Sequence, residues 1–318
     1  MNRLLFFKPI PKHTIWGGTA VKDYFNYSDF DYGVGQTWVF SDQENESNIC
    51  VSDNFKGKSL NDIWTESPEI FNSQFEIFPV IISLVGPSDD LSIQLHPNEV
   101  IAQKKGFSFG KNEAWYFIKA DNSSLVYGNT AKNNNELISK IINKEYNNLF
   151  KTHEIKQSDF VYIPSGTIHA LGKKNIVYEV QQSTDLTYRI YDYNRTDNSG
   201  KKRELHLKEA IEVLKQNVGE NDLSIMKPNQ IICNDNLTLE QFISNKSFTI
   251  LKLASTGDST IDKNGYWLCT VIKGQGSINK EGIKLGDNFI ISATQNKLEI
   301  SGNFILMITS EESYKGDV

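Results

Sequence analysis

The chain has 318 residues, 39% hydrophobic and 23% charged, with a net charge of −6 at pH 7. That is an ordinary soluble globular composition, long enough for two domains or one large domain with insertions. The acidic balance argues against a nucleic-acid-binding surface, and no apolar run approaches the roughly 20 residues of a membrane-spanning helix.

The apolar patch Leu4–Phe7 is cut short by Lys8, Pro9 and Pro11, so it lacks the apolar core and cleavage site of a signal peptide. Three widely spaced cysteines without a CxxC pair (Cys50, Cys233, Cys269) read as thiols in a reducing compartment. A cytoplasmic location is expected. Aromatic content of 11%, with Gly and Pro between short apolar runs, leans toward β structure.

Turn signals at Trp16-Gly17-Gly18 and Gly33-Val34-Gly35 precede a strand over Thr37–Phe40. Leu60, Ile63 and Trp64 fall at helical spacing in residues 59–66, and Pro68 stops that helix. Phe78–Val85 is a nearly continuous apolar run, the mark of a strand buried on both faces. It leads into Leu91–Pro97, which alternates with period two: Leu91, Ile93 and Leu95 on one face, Ser92, Gln94 and His96 on the other. A strand rich in aromatic and β-branched residues follows, with Glu113 at its entrance.

Asn134–Phe150 predicts an amphipathic helix, with Leu137, Ile138, Ile141, Ile142, Tyr146 and Leu149 on its apolar face. Strands are predicted at Asp159–Ile163, Ile176–Gln182 and Leu186–Tyr193. A second helix follows with Leu205, Leu207, Ala210, Ile211 and Leu214 as its stripe. Together the two helices form a small helical insert (about 131–150 and 204–217). Periodicity breaks near residues 220–230. From Asn229 onward the short runs Phe248–Leu253, Trp267–Ile272 and Asn288–Ile291 suit a sandwich or barrel.

A buried strand tolerates Gln94 and His96 together only if their polar atoms are satisfied. A metal ion between this strand and the one opened by Glu113 would do so, and His169, after the tight Pro164-Ser165-Gly166 turn, can point into the same space. Two imidazoles and a carboxylate are a common zinc set. His13, His153 and His206 sit among polar or turn residues and read as surface or capping residues.

The chain resembles the type I phosphomannose isomerases (mannose-6-phosphate isomerases) in their short bacterial form. The likeness rests on IWGG, FPVIISLV, DDLSIQLHPNE, GKNEAWYFI, DFVYIPSGTIHALG and YEVQQSTDLTYRIYDYNR, which run in family order from residue 15 to residue 195. The resemblance implies a mainly β fold of two cupin-type (jelly-roll) β-barrels with a small helical insert: residues 1–228 a catalytic metal-binding domain, residues 229–318 a structural one. It implies one zinc ion per chain at Gln94, His96, Glu113 and His169. Arg189 falls on the catalytic arginine, and Lys111 and Glu179 fall on active-site positions. The expected partner is a small phosphosugar, with no nucleic acid and no membrane; the oligomeric state is open. No histidine follows His206, so a second imidazole-based metal site in the C-terminal part is not expected.

Such chemistry moves a proton between C1 and C2 of an aldose or ketose phosphate through an enediol(ate), which needs a base and a positive field over the oxygens. Arg189 suits the developing oxyanion because a guanidinium stays charged. Lys111 and Glu179 are candidates for ring opening or proton relay, and the residues alone do not choose. Taken singly they have plainer readings: Lys111 a solvated turn lysine, Glu179 the partner of an arginine, Arg189 a strand residue packed between tyrosines. Trp16, Trp38 and Trp115 read as core. Two positions depart from the family pattern, Ser83 where longer members carry lysine and Ser158 where glycine is common. The run Lys201-Lys202-Arg203 reads as a solvated face. A non-catalytic sugar-binding cupin and a cupin oxidoreductase using iron or manganese are the alternatives, since His/His/Glu ligation does not separate the metals.

Overall fold

Apolar runs alternating with turn residues produce three large antiparallel sheets in the computed structural model, which describes residues 4–197, 199–216 and 219–311. The first sheet has six strands in the order Phe160–Ile163, Glu113–Ala120, Asn175–Gln182, Val80–Val85, Val34–Phe40 and Ile10–Gly18. The second has five: Phe150–Ile155, Ser123–Asn129, His169–Leu171, Ile93–Leu95 and Tyr188–Tyr191. Side chains from both fill the space between them, including Trp115, Phe117 and Val177 from the six-stranded sheet and Leu125 and Tyr127 from the five-stranded one. This is the sandwich form of the expected jelly roll.

Each sheet also buries its other face. In the six-stranded sheet Trp115 and Phe117 point inward, while Ala114, Tyr116 and Ile118 pack outward with Phe242, Phe248, Ile250 and Leu268 of the third sheet. Hence the continuous apolar runs at Val80–Val85 and Glu113–Ile118, which show no polar alternation. The five-stranded sheet packs outward on two helices, Asn134–Ile142 and Leu207–Gln216, through Leu137, Ile141, Ala210, Val213 and Leu214.

All strands from Asn229 onward lie in the third sheet, which also takes Leu5–Phe6 from the opposite end of the chain, paired with Phe289 and Ile290. The N-terminal segment therefore belongs structurally with the C-terminal sheet, a pairing of high sequence separation that local patterning does not reveal. No helix among the described residues is long and apolar enough to cross a membrane.

Several expected elements are shorter than their patterns. The helix over Asn134–Phe150 ends at Ile142, which is exposed. Lys144 and Asn148 then adopt left-handed φ of 58° and 54°, breaking the helix before Phe150 opens a strand. Leu205 precedes the second helix, which begins at Leu207; Asn217, at the end of the expected insert, lies outside the described residues. The helix over residues 59–66 forms as Leu60–Glu66, because Ser59 and Asp62 make a capping box. Leu91 does not share a face with Ile93 and Leu95: the strand begins only at Ile93, and Leu91 packs into the inter-sheet core. Ser158 has a φ of 71°, which explains why glycine suits that position.

Tyr178 and Thr309 join the six-stranded sheet to the third through a buried 2.8 Å hydroxyl–hydroxyl bond. Tyr178→Phe strands the Thr309 hydroxyl, so urea unfolding should show a loss of about 1–3 kcal/mol.

Candidate active site

The two facing sheets bring His96, Glu113 and His169 together, all buried. Glu113 starts its strand at the edge of the inter-sheet space. His169 starts the strand paired in register with Gln94, and His96 lies two residues beyond Gln94. The three ligand atoms lie within 4.8 Å of one another. His96 Nε2 is 3.2 Å from Glu113 Oε1, and His169 Nε2 is 3.4 Å from Glu113 Oε2.

The other ring nitrogens decide what these contacts are. His96 Nδ1 lies 2.9 Å from the Leu186 carbonyl and His169 Nδ1 lies 3.0 Å from the Thr167 carbonyl. A carbonyl only accepts, so each Nδ1 carries the hydrogen and each Nε2 presents a lone pair. Burial pushes the His96 pKa down to about 4, so its ring is neutral at pH 7. Glu113 is buried, which alone would raise its pKa, yet the Lys111 ammonium, 3.2 Å from Oε1, lowers it and favours the ionised carboxylate. Two imidazole lone pairs therefore face an ionised carboxylate, and His96 Nε2, His169 Nε2 and Glu113 Oε2 have no hydrogen-bond partner among the described residues.

A cation resolves that conflict. Ligands bound at about 2.0–2.1 Å in a tetrahedron stand about 3.3 Å apart, and the observed 3.2 and 3.4 Å match. The Nδ1–H bonds to carbonyls are the outer contacts that orient metal-binding histidines. Three protein ligands with an open position are typical of a catalytic site.

Beside this cluster lies a cavity of about 190 Å³ lined by Gln94, Lys111, Glu113, Glu179, Arg189 and Arg203, among others. Every expected site residue except the two histidines lines it, and those lie against Glu113. Lys111 is no solvated turn residue: it is buried, with Nζ 3.2 Å from Glu113 Oε1 and 3.3 Å from Thr187 Oγ1. Burial alone would lower its pKa, but Glu113 and the nearby Asp185 and Glu179 carboxylates raise it, so it stays charged.

Among the described residues Glu179 pairs with no arginine. It accepts from Trp115 Nε1 at 2.9 Å and from Gln36 Nε2 at 3.0 Å, and the same Gln36 nitrogen reaches Ser83 Oγ. Burial, and then repulsion from Glu113, push its pKa up to about 8. Ser83 thus shares the Gln36 nitrogen with this carboxylate, and the cation that favours its ionised form is Lys111.

Arg189 sits opposite Gln94 in register. Its backbone N–H donates to His206 Nδ1 at 3.2 Å, and the His206 N–H donates to its carbonyl at 2.8 Å. His206 is therefore a support of the site and not merely a surface or capping residue. Arg203 departs from its expected solvated role: it lines the cavity and is gripped by Asp192 through Nε at 2.8 Å and Nη2 at 2.6 Å. Trp16 and Trp115 are core residues, as expected, that also wall the site. Gln36, Arg203 and His206 were missed by sequence reasoning. Gln36 alone left a signal, as a polar residue within the apolar Val34–Phe40 strand.

A sandwich of jelly-roll sheets with a buried His/Glu/His cluster at its mouth defines a cupin with a metal-type centre. The family description "Phosphomannose isomerase type I, catalytic domain" matches residues 4–123, and "Mannose-6-phosphate isomerase, cupin domain" matches residues 238–310. A mannose-6-phosphate isomerase of Bacillus subtilis is 33% identical over 307 residues, covering 94% of this chain and 96% of its own. One from Streptococcus mutans is 32% identical over 314 residues, covering 95% and 96%. The crystal structure of a Bacillus subtilis mannose 6-phosphate isomerase superposes with a TM-score of 0.90 at 32% identity, over 96% of this chain and 99% of that one. A Salmonella typhimurium phosphomannose isomerase variant shares the fold at 13% identity, with a TM-score of 0.77 over 98% and 100%. The chain belongs to the type I phosphomannose isomerase (mannose-6-phosphate isomerase) family.

The raised Glu179 pKa has a consequence for the metal-free protein. The folded chain holds a proton that the unfolded chain releases between pH 4.5 and about 8. This contribution to stability is complete below the lower value and lost as pH rises through the upper one. Glu179→Gln removes the titration. Melting of metal-free protein should show the variant gaining on the wild type from pH 5 to 8, whereas a constant offset would contradict the raised pKa.

Proposed function

We propose that the chain is a zinc-dependent aldose–ketose isomerase interconverting mannose 6-phosphate and fructose 6-phosphate through an enediol(ate). The observation that carries this reading is the pair of imidazole lone pairs facing Glu113 at the end of a cavity that also holds Lys111, Glu179 and Arg189. His96, Glu113 and His169 would hold the ion, with Gln94 as a fourth ligand from the adjacent strand. Bound there, zinc would polarise or orient the oxygens on C1 and C2.

The protein groups divide the remaining work by charge state. Arg189 keeps its charge and stabilises the oxyanion that develops on the enediol. Glu179, whose burial favours the protonated form, is the group suited to give a proton to the ring oxygen, the requirement of an acid in ring opening. Lys111 fixes Glu113 and adds positive potential at the reacting end. Arg203, presented by Asp192 on the same wall as Arg189, gives the cavity a second guanidinium suited to the phosphate. The cavity falls below the roughly 300 Å³ at which drug-sized pockets begin, which favours a single monosaccharide over an oligosaccharide. Within this reading, residues 1–228 are the catalytic unit and residues 229–318 a structural one.

A coupled assay with mannose 6-phosphate, run with and without chelator, tests the reading. Chelator-sensitive formation of fructose 6-phosphate is expected. Its absence would leave a sugar-binding cupin or an oxidoreductase, which metal analysis then separates. Arg189→Ala should lose about 10²–10³ in kcat, the usual effect of removing an oxyanion donor, while keeping its zinc. Near-normal turnover in a zinc-loaded variant removes Arg189 from that role.

A further inference from the structure

The three segments that carry the metal-type cluster are tied to one another by a ring of hydrogen bonds. The Gly166 N–H donates to the His96 carbonyl at 2.8 Å, and the Lys111 N–H donates to the Pro97 carbonyl at 3.0 Å. These backbone bonds join the His96 segment to the two others. The Glu113 segment and the turn before His169 are joined by the backbone pairing of Glu113 with Ile163 and, one residue further out, by a side chain: Asn112 Oδ1 accepts from the Ser165 N–H at 2.9 Å.

Every polar group of Asn112 is engaged. Its N–H donates to Gln182 Oε1 at 3.1 Å, and its carbonyl accepts from the Gln182 N–H at 3.1 Å. Its Nδ2 donates to Gln182 Oε1 at 2.8 Å and to Ser247 Oγ at 3.2 Å. Ser247 belongs to the turn between the Leu237–Ser244 and Thr249–Ser255 strands, where Asn245 Oδ1 accepts from the Ser247 N–H at 2.8 Å. The side chain next to Glu113 is thus anchored to the third sheet, which carries no histidine of its own.

We propose that Asn112 is a positioning residue for the metal centre, carrying the Glu113–Ile163 pairing on into the turn that presents His169 and bracing it on the C-terminal sheet through Ser247. Its amide suits the task because it presents an acceptor to one segment and donors to two others at once, which neither a carboxylate nor a hydroxyl of similar size does. Asn112 does not face the substrate cavity, so its effect passes through the ligands. The proposal rests on the metal reading above.

Titration of metal-free protein with zinc against a chromophoric chelator tests both and keeps them apart. Wild-type protein that takes up no zinc refutes the metal reading before Asn112 is at issue. If zinc binds, Asn112→Ala should weaken it about 10–100-fold, the usual effect of losing an outer contact of a metal site. The control is Asn288→Ala, which deletes an equally engaged buried amide in the third sheet. It should lower the melting temperature and leave zinc affinity within about twofold. Should Asn112→Ala fail to fold, Asn112→Ser, too short to span from Ser165 to Ser247, makes the same comparison. Zinc affinity in the folded Asn112 variant no lower than in Asn288→Ala overturns the proposal.

Discussion

The constraint on which this site depends is electrostatic: two buried imidazole lone pairs are aimed at a buried carboxylate. Leaving such groups unpaired away from water costs several kcal/mol in all. Burial keeps His96 neutral, so protonation of that ring does not relieve the conflict, and both histidines turn Nε2 toward Glu113 because each donates its Nδ1–H to a carbonyl. Lys111 supplies one cation to Glu113 but reaches only Oε1. Among the described residues Glu113 Oε2 and both Nε2 atoms still lack a hydrogen-bond partner, and the spacing of Glu113 from each imidazole matches that of ligands around one ion.

The fold exists around that arrangement in a specific sense. Glu113 comes from one sheet, His96 and His169 from the other, so the cluster needs the two sheets held face to face. The helical cover on the five-stranded sheet and the third sheet on the six-stranded one supply that restraint, burying both outer faces. Large aromatic side chains stiffen the centre, and Trp115 serves twice, filling the inter-sheet core and donating to Glu179. The same burial that packs the core raises the Glu179 pKa and lowers that of His96, so packing and acid–base character share one cause.

Much of this was legible in the sequence, and the exceptions have physical reasons. The period-two pattern at Ile93–His96 and the aromatic run after Glu113 foretold two strands with polar residues on a shared inner face. The Pro164-Ser165-Gly166 turn placed His169. Local patterns failed where tertiary contacts decide: Leu5–Phe6 pairing with residues almost three hundred positions away, and the apolar face of Asn134–Phe150 divided between a helix, a turn and a strand. Arg203 was misread because a run of like charges says nothing about which member finds a carboxylate. Asp192 captures Arg203 and draws it out of the solvated run, while Lys201 and Lys202 remain exposed. His206 does stand at the start of the second helix, its carbonyl accepting from the Ala210 N–H, but its ring's partner is the Arg189 backbone N–H, which no side-chain pattern can announce.

The most direct test of the account is an anomalous difference map recorded at the zinc edge from crystals of zinc-loaded protein. A single peak is expected about 2.0–2.1 Å from the Nε2 atoms of both His96 and His169 and bonded to Glu113, and the same map shows whether Gln94 completes the set. A peak elsewhere, coordination through Nδ1, or no peak between the two sheets would contradict it.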